Sequence, residues 1–220
     1  MNGSAAELGA LHVYPTADGS FSLHSDHFGE AFHNSAGALN EARAKFVQPA
    51  ELQRFGKGSE LRILDVCLGL GYNTAAVLEA LPTAGPKLQW WGLELDRRPL
   101  EQALEQASFQ SLWSAPVLAR LEAIRDHGCW KEPNSQGIQL WGDARSMLQE
   151  IPDFEYDLTQ VPDTLIQHGT LDPMVDIERG RRIRDVLIDS GCEPDYAEYP
   201  MGHEISNASL FDLRDWLAAV

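Results

Sequence analysis

LRILDVCLGLGYNTAAVLEAL, Leu61 to Leu81, decides the fold. Its opening run, LRILDVCL, is short, apolar and bounded by turn residues, as a buried parallel strand is. Gly69 and Gly71 then form a Gly-x-Gly turn, and a helical stretch follows that stops before Pro82. Glycines at such a turn let the backbone bend tightly and approach a ligand closely. The helix N-terminus behind them directs unpaired N–H groups at whatever sits over the turn.

The same grammar continues on both sides. LQWWGLELD, Leu88 to Asp96, reads as a second strand, and GIQLWGDA, Gly137 to Ala144, as a third. Between them, RPLEQALEQASFQSL carries Leu100, Ala103, Leu104 and Ala107 on one helical face, and APVLARLEAI is a further helix. RSMLQEI follows the third strand as a short helix. Upstream, residues 1–20 read as loose and polar, Phe21 to Gly37 as an ordered segment with turns, and LNEARAKFVQPAEL as a helix broken near Pro49. Downstream, TLIQHG is a strand, and VDIERGRRIRDVLIDSG a helix with Ile177, Ile183 and Leu187 on one face and Gly191 as C-cap. PDYAEYPMGHE is a strand running into a loop. SNASLFDLRDWLAA is a closing helix, N-capped by Ser206, that buries Leu210, Leu213 and Trp216. Strands alternating with helices predict an α/β fold with a doubly wound, mainly parallel sheet.

Composition narrows the classes. The 220 residues are 44% hydrophobic and 23% charged, as in a globular protein. No apolar run reaches the ~20 residues of a membrane span, and MNGSAAELGA lacks the pattern of a signal peptide, so a cytoplasmic protein without a membrane partner is expected. Three separated cysteines and the lack of CxxC or HExxH spacing predict neither a disulfide framework nor a metal site. The net charge of -16 opposes general binding to phosphate backbones. A nucleic acid would need a local basic patch, such as Arg97–Arg98 or ERGRRIR, Glu178 to Arg184. The simpler reading of such a run is a solvated helix face.

Acids at the strand ends give the chemistry. Glu94 closes the second strand, where a carboxylate accepts hydrogen bonds from ribose hydroxyls. Asp143 closes the third, within reach of an adenine amino group. LDVCLGLGYNT, GLELDRRPLEQAL and LWGDAR together resemble the class I S-adenosylmethionine-dependent methyltransferases. The upstream stretch TADGSFSLHSDHFGEAFHNSAGALNEARAKFVQP resembles, more narrowly, the methyltransferases that complete 5-methylaminomethyl-2-thiouridine at the tRNA wobble position. The resemblance spans roughly Thr16 to Ile151. It implies S-adenosyl-L-methionine as cofactor, tRNA as partner, and Glu41, Asp65, Gly69, Gly71, Glu94 and Asp143 as cofactor-binding residues. Such enzymes carry an apolar-Asp-x-Phe-Ser-Pro type motif on the fourth strand, beside the amine that receives the methyl group. FEYDLTQVPDTLIQHG stands there instead, which leaves the acceptor site incomplete.

From Val161 the likeness changes. TLIQHGTLDPMVDIERGRRIRDVLIDSG and YAEYPMGHEIS resemble the C-terminal end of the phospholipase/carboxylesterase group of α/β-hydrolases. That resemblance implies a catalytic pair, with Asp172 as the acid and His203 as the general base, and a small ester as substrate. The expected Gly-x-Ser-x-Gly nucleophile is missing, so a hydrolase would have to recruit Ser35 or Cys67. The chain therefore reads as a join: 1–20 a loose N-terminus, 21–157 a methyltransferase-like half, and 158–220 a hydrolase-like β-α-β-α unit completing the sheet. The seam is expected between Asp153 and Pro162. Three readings follow: a methyltransferase-like protein, an esterase, or an inactive chimera of two α/β folds.

Overall fold

The chain enters through an antiparallel meander of β1, Leu11–Pro15, β2, Phe21–Ser25, and β3, Glu30–Ala31. The computed structural model describes residues 8–151, 163–173, 175–189 and 191–219. Within residues 1–20, read as loose from the sequence, Leu11 to Pro15 instead pair with Ser25 to Phe21, while residues 1–7 lie outside the described residues. Val13 is exposed, so β1 is held by its backbone ladder to β2, whose Phe21 and Leu23 sit in the core. The β1–β2 turn is fixed by Asp18, which accepts hydrogen bonds from the Thr16 hydroxyl (2.9 Å) and the Ser20 N–H (3.0 Å). Its other oxygen takes the Asn40 N–H at 2.9 Å, tying the meander to α1, Ala38–Ala42. A π-helical turn, Arg43–Val47, and α2, Gln48–Ala50, complete the segment expected to break near Pro49.

The central sheet follows. β4, Glu60–Val66, leads through the glycine turn into α3, Tyr72–Ala80. β5, Lys87–Glu94, leads into α4, Arg98–Glu105, α5, Ala107–Gln110, and α6, Ala115–His127. β6, Cys129–Glu132, and β7, Ser135–Trp141, form an antiparallel hairpin, and α7, Ala144–Met147, comes after it. The strand order is β4-β5-β7-β6, with β4, β5 and β7 parallel. Tyr72, Trp90, Leu100, Phe109, Leu121 and Ile124 are fully buried and anchor the core. Tyr72 meets Phe109 edge-on at 4.9 Å between ring centroids, and its hydroxyl accepts the Phe21 N–H at 3.3 Å.

The chain divides into two compact units, Met1–Pro152 and Asp153–Val220. The second contains β8, Leu165–Gly169, α8, Ile177–Asp189, β9, Asp195–Tyr199, and α9, Asn207–Ala219. β8 and β9 pair in parallel, Leu165–Gly169 against Asp195–Tyr199. They carry Gln167, His168 and Glu198, which are satisfied within the unit. Gln167 donates to the Tyr199 hydroxyl (2.9 Å) and the Ser209 carbonyl (2.8 Å), and Arg181 donates to Glu198 at 2.8 Å. Ser206 caps α9 by accepting the Ser209 N–H at 3.1 Å. Leu210, Leu213 and Trp216 are only half-buried, and Ile183 on α8 is exposed. Helix α8 approaches β8 through Gly180, where a methyl group would strike the His168 ring. The expected seam and residues 154–162 of the fourth-strand segment lie outside the described residues.

Candidate functional site

The turn after β4 contains three left-handed residues. Cys67 takes a left-handed backbone (φ 67°) and donates its N–H to the Leu93 carbonyl at 2.8 Å. Gly69 (φ 57°) and Gly71 (φ 87°) are also left-handed, a region in which a side chain is strained. A Cβ on Gly69 would press against Phe32 at 3.2 Å, and one on Gly71 against Leu100 at 3.0 Å. Both glycines are thus favoured by backbone conformation, with tight side-chain neighbours adding to the preference. The Gly69 N–H points back to the second strand end, donating to Glu94 Oε2 at 2.8 Å.

Glu94 is buried, with 8% of its surface exposed, and its Oε1 accepts the Asp96 N–H at 2.9 Å. Burial pushes its carboxyl up, only partly offset by the N–H groups of Asp96 and Gly69. Asp65 is placed differently from a ligand-facing acid. Its carboxylate accepts the Thr74 hydroxyl, binding β4 to α3, and burial raises its pKa against that hydrogen bond. Asp143 caps α7 by accepting the Arg145 N–H at 2.9 Å and also pairs with the Arg145 guanidinium. That pairing holds the Asp143 carboxyl down to about 2.

Glu41, on α1, forms a bridge between Lys45 Nζ (2.9 Å) and His33 Nδ1 (3.4 Å) and accepts the Asn34 N–H at 3.3 Å. Burial alone would raise its pKa, but the bonds from His33 and Lys45 hold it at about 2. The His33 ring stands edge-on to Tyr72 at 5.4 Å, and the neighbouring Phe32 is the residue against Gly69. The first unit therefore gathers Glu41, Asp65, Gly69, Gly71 and Glu94 around one strand-end region, with Asp143 at the end of a neighbouring strand. Phe32, His33 and Tyr72 belong to this region and were not singled out by the sequence reading. Their signal lay in the aromatic residues of AFHN and GYN, inside the motifs themselves. Arg98 is consumed by Asp96 (2.6 Å) and by the Gly9 carbonyl (2.8 Å), so only Arg97 of that basic pair is left facing outward.

In the second unit, His203 Nδ1 lies 2.9 Å from Asp172 Oδ2. The Asp172 side chain is 7% exposed and that of His203 54%. Asp172 Oδ1 accepts the Val175 N–H at 2.9 Å, which fixes the carboxylate's orientation. The structure thus brings together the two residues read as acid and base. Ser35 and Cys67 both belong to the first unit. The Cys67 thiol is pushed up by burial and by the charges of Glu94 and Asp65, so it is a poor thiolate nucleophile at neutral pH. Among the described residues no helix is long and apolar enough to cross a membrane, and no cluster of three or more His, Cys, Asp and Glu could hold a metal ion.

No family model matches the chain. An uncharacterized protein of Methanocaldococcus jannaschii is 40% identical over 73 residues, which are 33% of this chain and 20% of that protein. The crystal structure of MnmC2 from Aquifex aeolicus matches with a TM-score of 0.52 and 28% identity, covering 67% of this chain and 48% of that one. The chain thus spans about a fifth of the one and half of the other. Its α/β architecture, with parallel sheet segments, is similar to that of MnmC2.

Proposed function

We propose that the first unit binds S-adenosyl-L-methionine and that the protein is methyltransferase-like, with the aminomethyl nitrogen of a tRNA wobble uridine as methyl acceptor. The observation that carries this reading is the contact between the glycine turn and the second strand end. Gly69 and Glu94 are joined at 2.8 Å, with Gly69 and Gly71 both left-handed and free of side chains. This arrangement fits the cofactor. The open backbone accommodates its amino-acid portion, and the remaining lone pairs of Glu94 accept ribose hydroxyls. Asp143 is half-exposed at the next strand end, where an adenine amino group would donate to it. When bound, the cofactor supplies an electrophilic methyl group. The chain's own part is to position that group and to hold charge around it, since such transfer depends on alignment. The ionised Glu41, paired with Lys45 and hydrogen-bonded to His33, stands at the edge of the same region. The likeness to MnmC2 supports a role in tRNA modification.

Calorimetric titration of S-adenosyl-L-methionine tests the reading. Micromolar affinity is expected in the parent chain and a loss of ~10-fold or more in Glu94→Ala, since a buried hydrogen-bonding acceptor is removed. Absence of binding by the cooperatively folded parent would overturn it.

A second reading rests on the Asp172–His203 pair at 2.9 Å, half of a serine-hydrolase triad. With its proton on Nδ1, His203 is oriented by a buried carboxylate and can serve as a base. Hydrolysis of a chromogenic short-chain ester, lost in His203→Ala and blocked by a serine-directed phosphonate, is the result this reading requires. Without turnover, the pair is a structural remnant of the hydrolase-like segment, and the C-terminal unit is the foreign part of a chimera.

A further inference from the structure

We infer that the groove beside the β6–β7 hairpin is an RNA-docking surface that grips phosphates and stacks a base. This rests on the tRNA reading above and adds to it the face of the molecule that holds the RNA. The groove has a volume of about 700 Å³ and belongs entirely to the first unit. Its walls bring together Arg97, Arg125 and Lys131 against a single carboxylate, Asp126. The whole chain, by contrast, has 17 Lys and Arg against 33 Asp and Glu. A local excess of cations in so acidic a protein is a place where a polyanion meets reduced repulsion.

The cations are differently engaged. Arg125 is neutralised by Asp126 at 2.7 Å. Arg97 and Lys131 are exposed, and neither forms an ion pair among the described residues. The Arg97 guanidinium lies 5.0 Å over the half-buried Trp141 ring. A planar cation layered on an indole is the platform on which single-stranded bases stack. Exposed Gln136 also lines the groove and supplies amide donors and acceptors there. From Gln136 to Trp141 the strand runs about 16 Å, at ~3.3 Å per residue, enough for a short single-stranded stretch.

Placement favours RNA over an acidic polypeptide. Arg97 stands three residues after Glu94, and Trp141 two residues before Asp143. The groove thus opens from the same strand ends that carry the candidate cofactor residues. A peptide would use the cations but not the stacking platform.

Fluorescence anisotropy of an end-labelled, unmodified tRNA anticodon stem-loop against the full chain, at increasing potassium chloride, tests the inference. Arg97→Ala, Lys131→Ala and the double variant are compared with the parent, with melting temperature and cofactor titration measured on each. Each single change is expected to weaken RNA binding several-fold and to lower the salt slope by about one. Arg97→Lys is expected to keep the salt slope but lose affinity, because the stack is lost while the charge remains. Melting and cofactor affinity should be unchanged throughout. A double variant that binds RNA like the parent overturns the groove and leaves the methyltransferase reading standing. RNA binding that depends on the groove, in a parent that binds no cofactor, overturns the methyltransferase reading and leaves the groove standing. A parent that binds no RNA even at low salt overturns the groove and the tRNA acceptor together. Displacement of the RNA by polyglutamate at equal charge concentration would assign the groove to acidic peptides instead.

Discussion

Glu41 is a residue whose ionisation supports the first unit. It is held at about 2 by His33 and Lys45, well below the ordinary 4.5. A carboxyl with a depressed folded-state pKa contributes stability that is present above its unfolded pKa and lost as the pH falls through the folded one. Asp18, also held at about 2, acts in the same direction. The urea midpoint should therefore fall between pH 4.5 and pH 2. Glu41→Gln should lower the midpoint at pH 7 and flatten this acid limb. A limb of unchanged steepness would show that His33 and Lys45 do not favour the ionised form. Glu94 behaves oppositely: its pKa is raised by burial, so ionising it costs stability as the pH rises. A cradle whose acid is strained when ionised gains most from a ligand that supplies hydroxyl donors.

At the scale of elements, the β6–β7 hairpin shows how tightly the sheet is packed. Trp130 and Trp90 lie with ring centroids 5.3 Å apart, and a methyl group on Gly137 would overlap the Trp130 ring. Gly137→Ala should cost about 1–3 kcal/mol in chemical denaturation, and Trp130→Phe in the same chain should recover part of it. If Gly137→Ala costs nothing, the hairpin is looser than its geometry. Much of this architecture was legible. Long elements with a clear period, such as β4, α3, β5 and α6, follow from their residues, and so do the strand-end acids. The β6 strand was missed because CWKE is only four residues long and abuts a helix without a glycine-rich break beyond Gly128. Phe32 and Tyr72 lie inside the motifs AFHN and GYN, but their part in the strand-end region depends on contacts through space, with Gly69 and with Phe109 and His33, which a local pattern does not encode.

For the whole molecule, the β4 edge of the central sheet is the place to look for association. Among the described residues β4 ends the strand order of that sheet, and on it Leu64 is 39% and Val66 50% exposed. An apolar edge strand with free backbone groups invites pairing with another chain. Sedimentation should show association that grows with concentration, and Val66→Lys should suppress it. A strictly monomeric parent at high concentration would show that the edge is covered in solution. The distribution of tryptophans has its own consequence. Trp90, Trp91, Trp113, Trp130 and Trp141 all fall in the first unit, and only Trp216 in the second. Indole emission is thus an almost private optical channel for the first unit, while amide circular dichroism registers both. Melting curves followed by the two signals will coincide if the units unfold as one, and separate if each keeps its own transition.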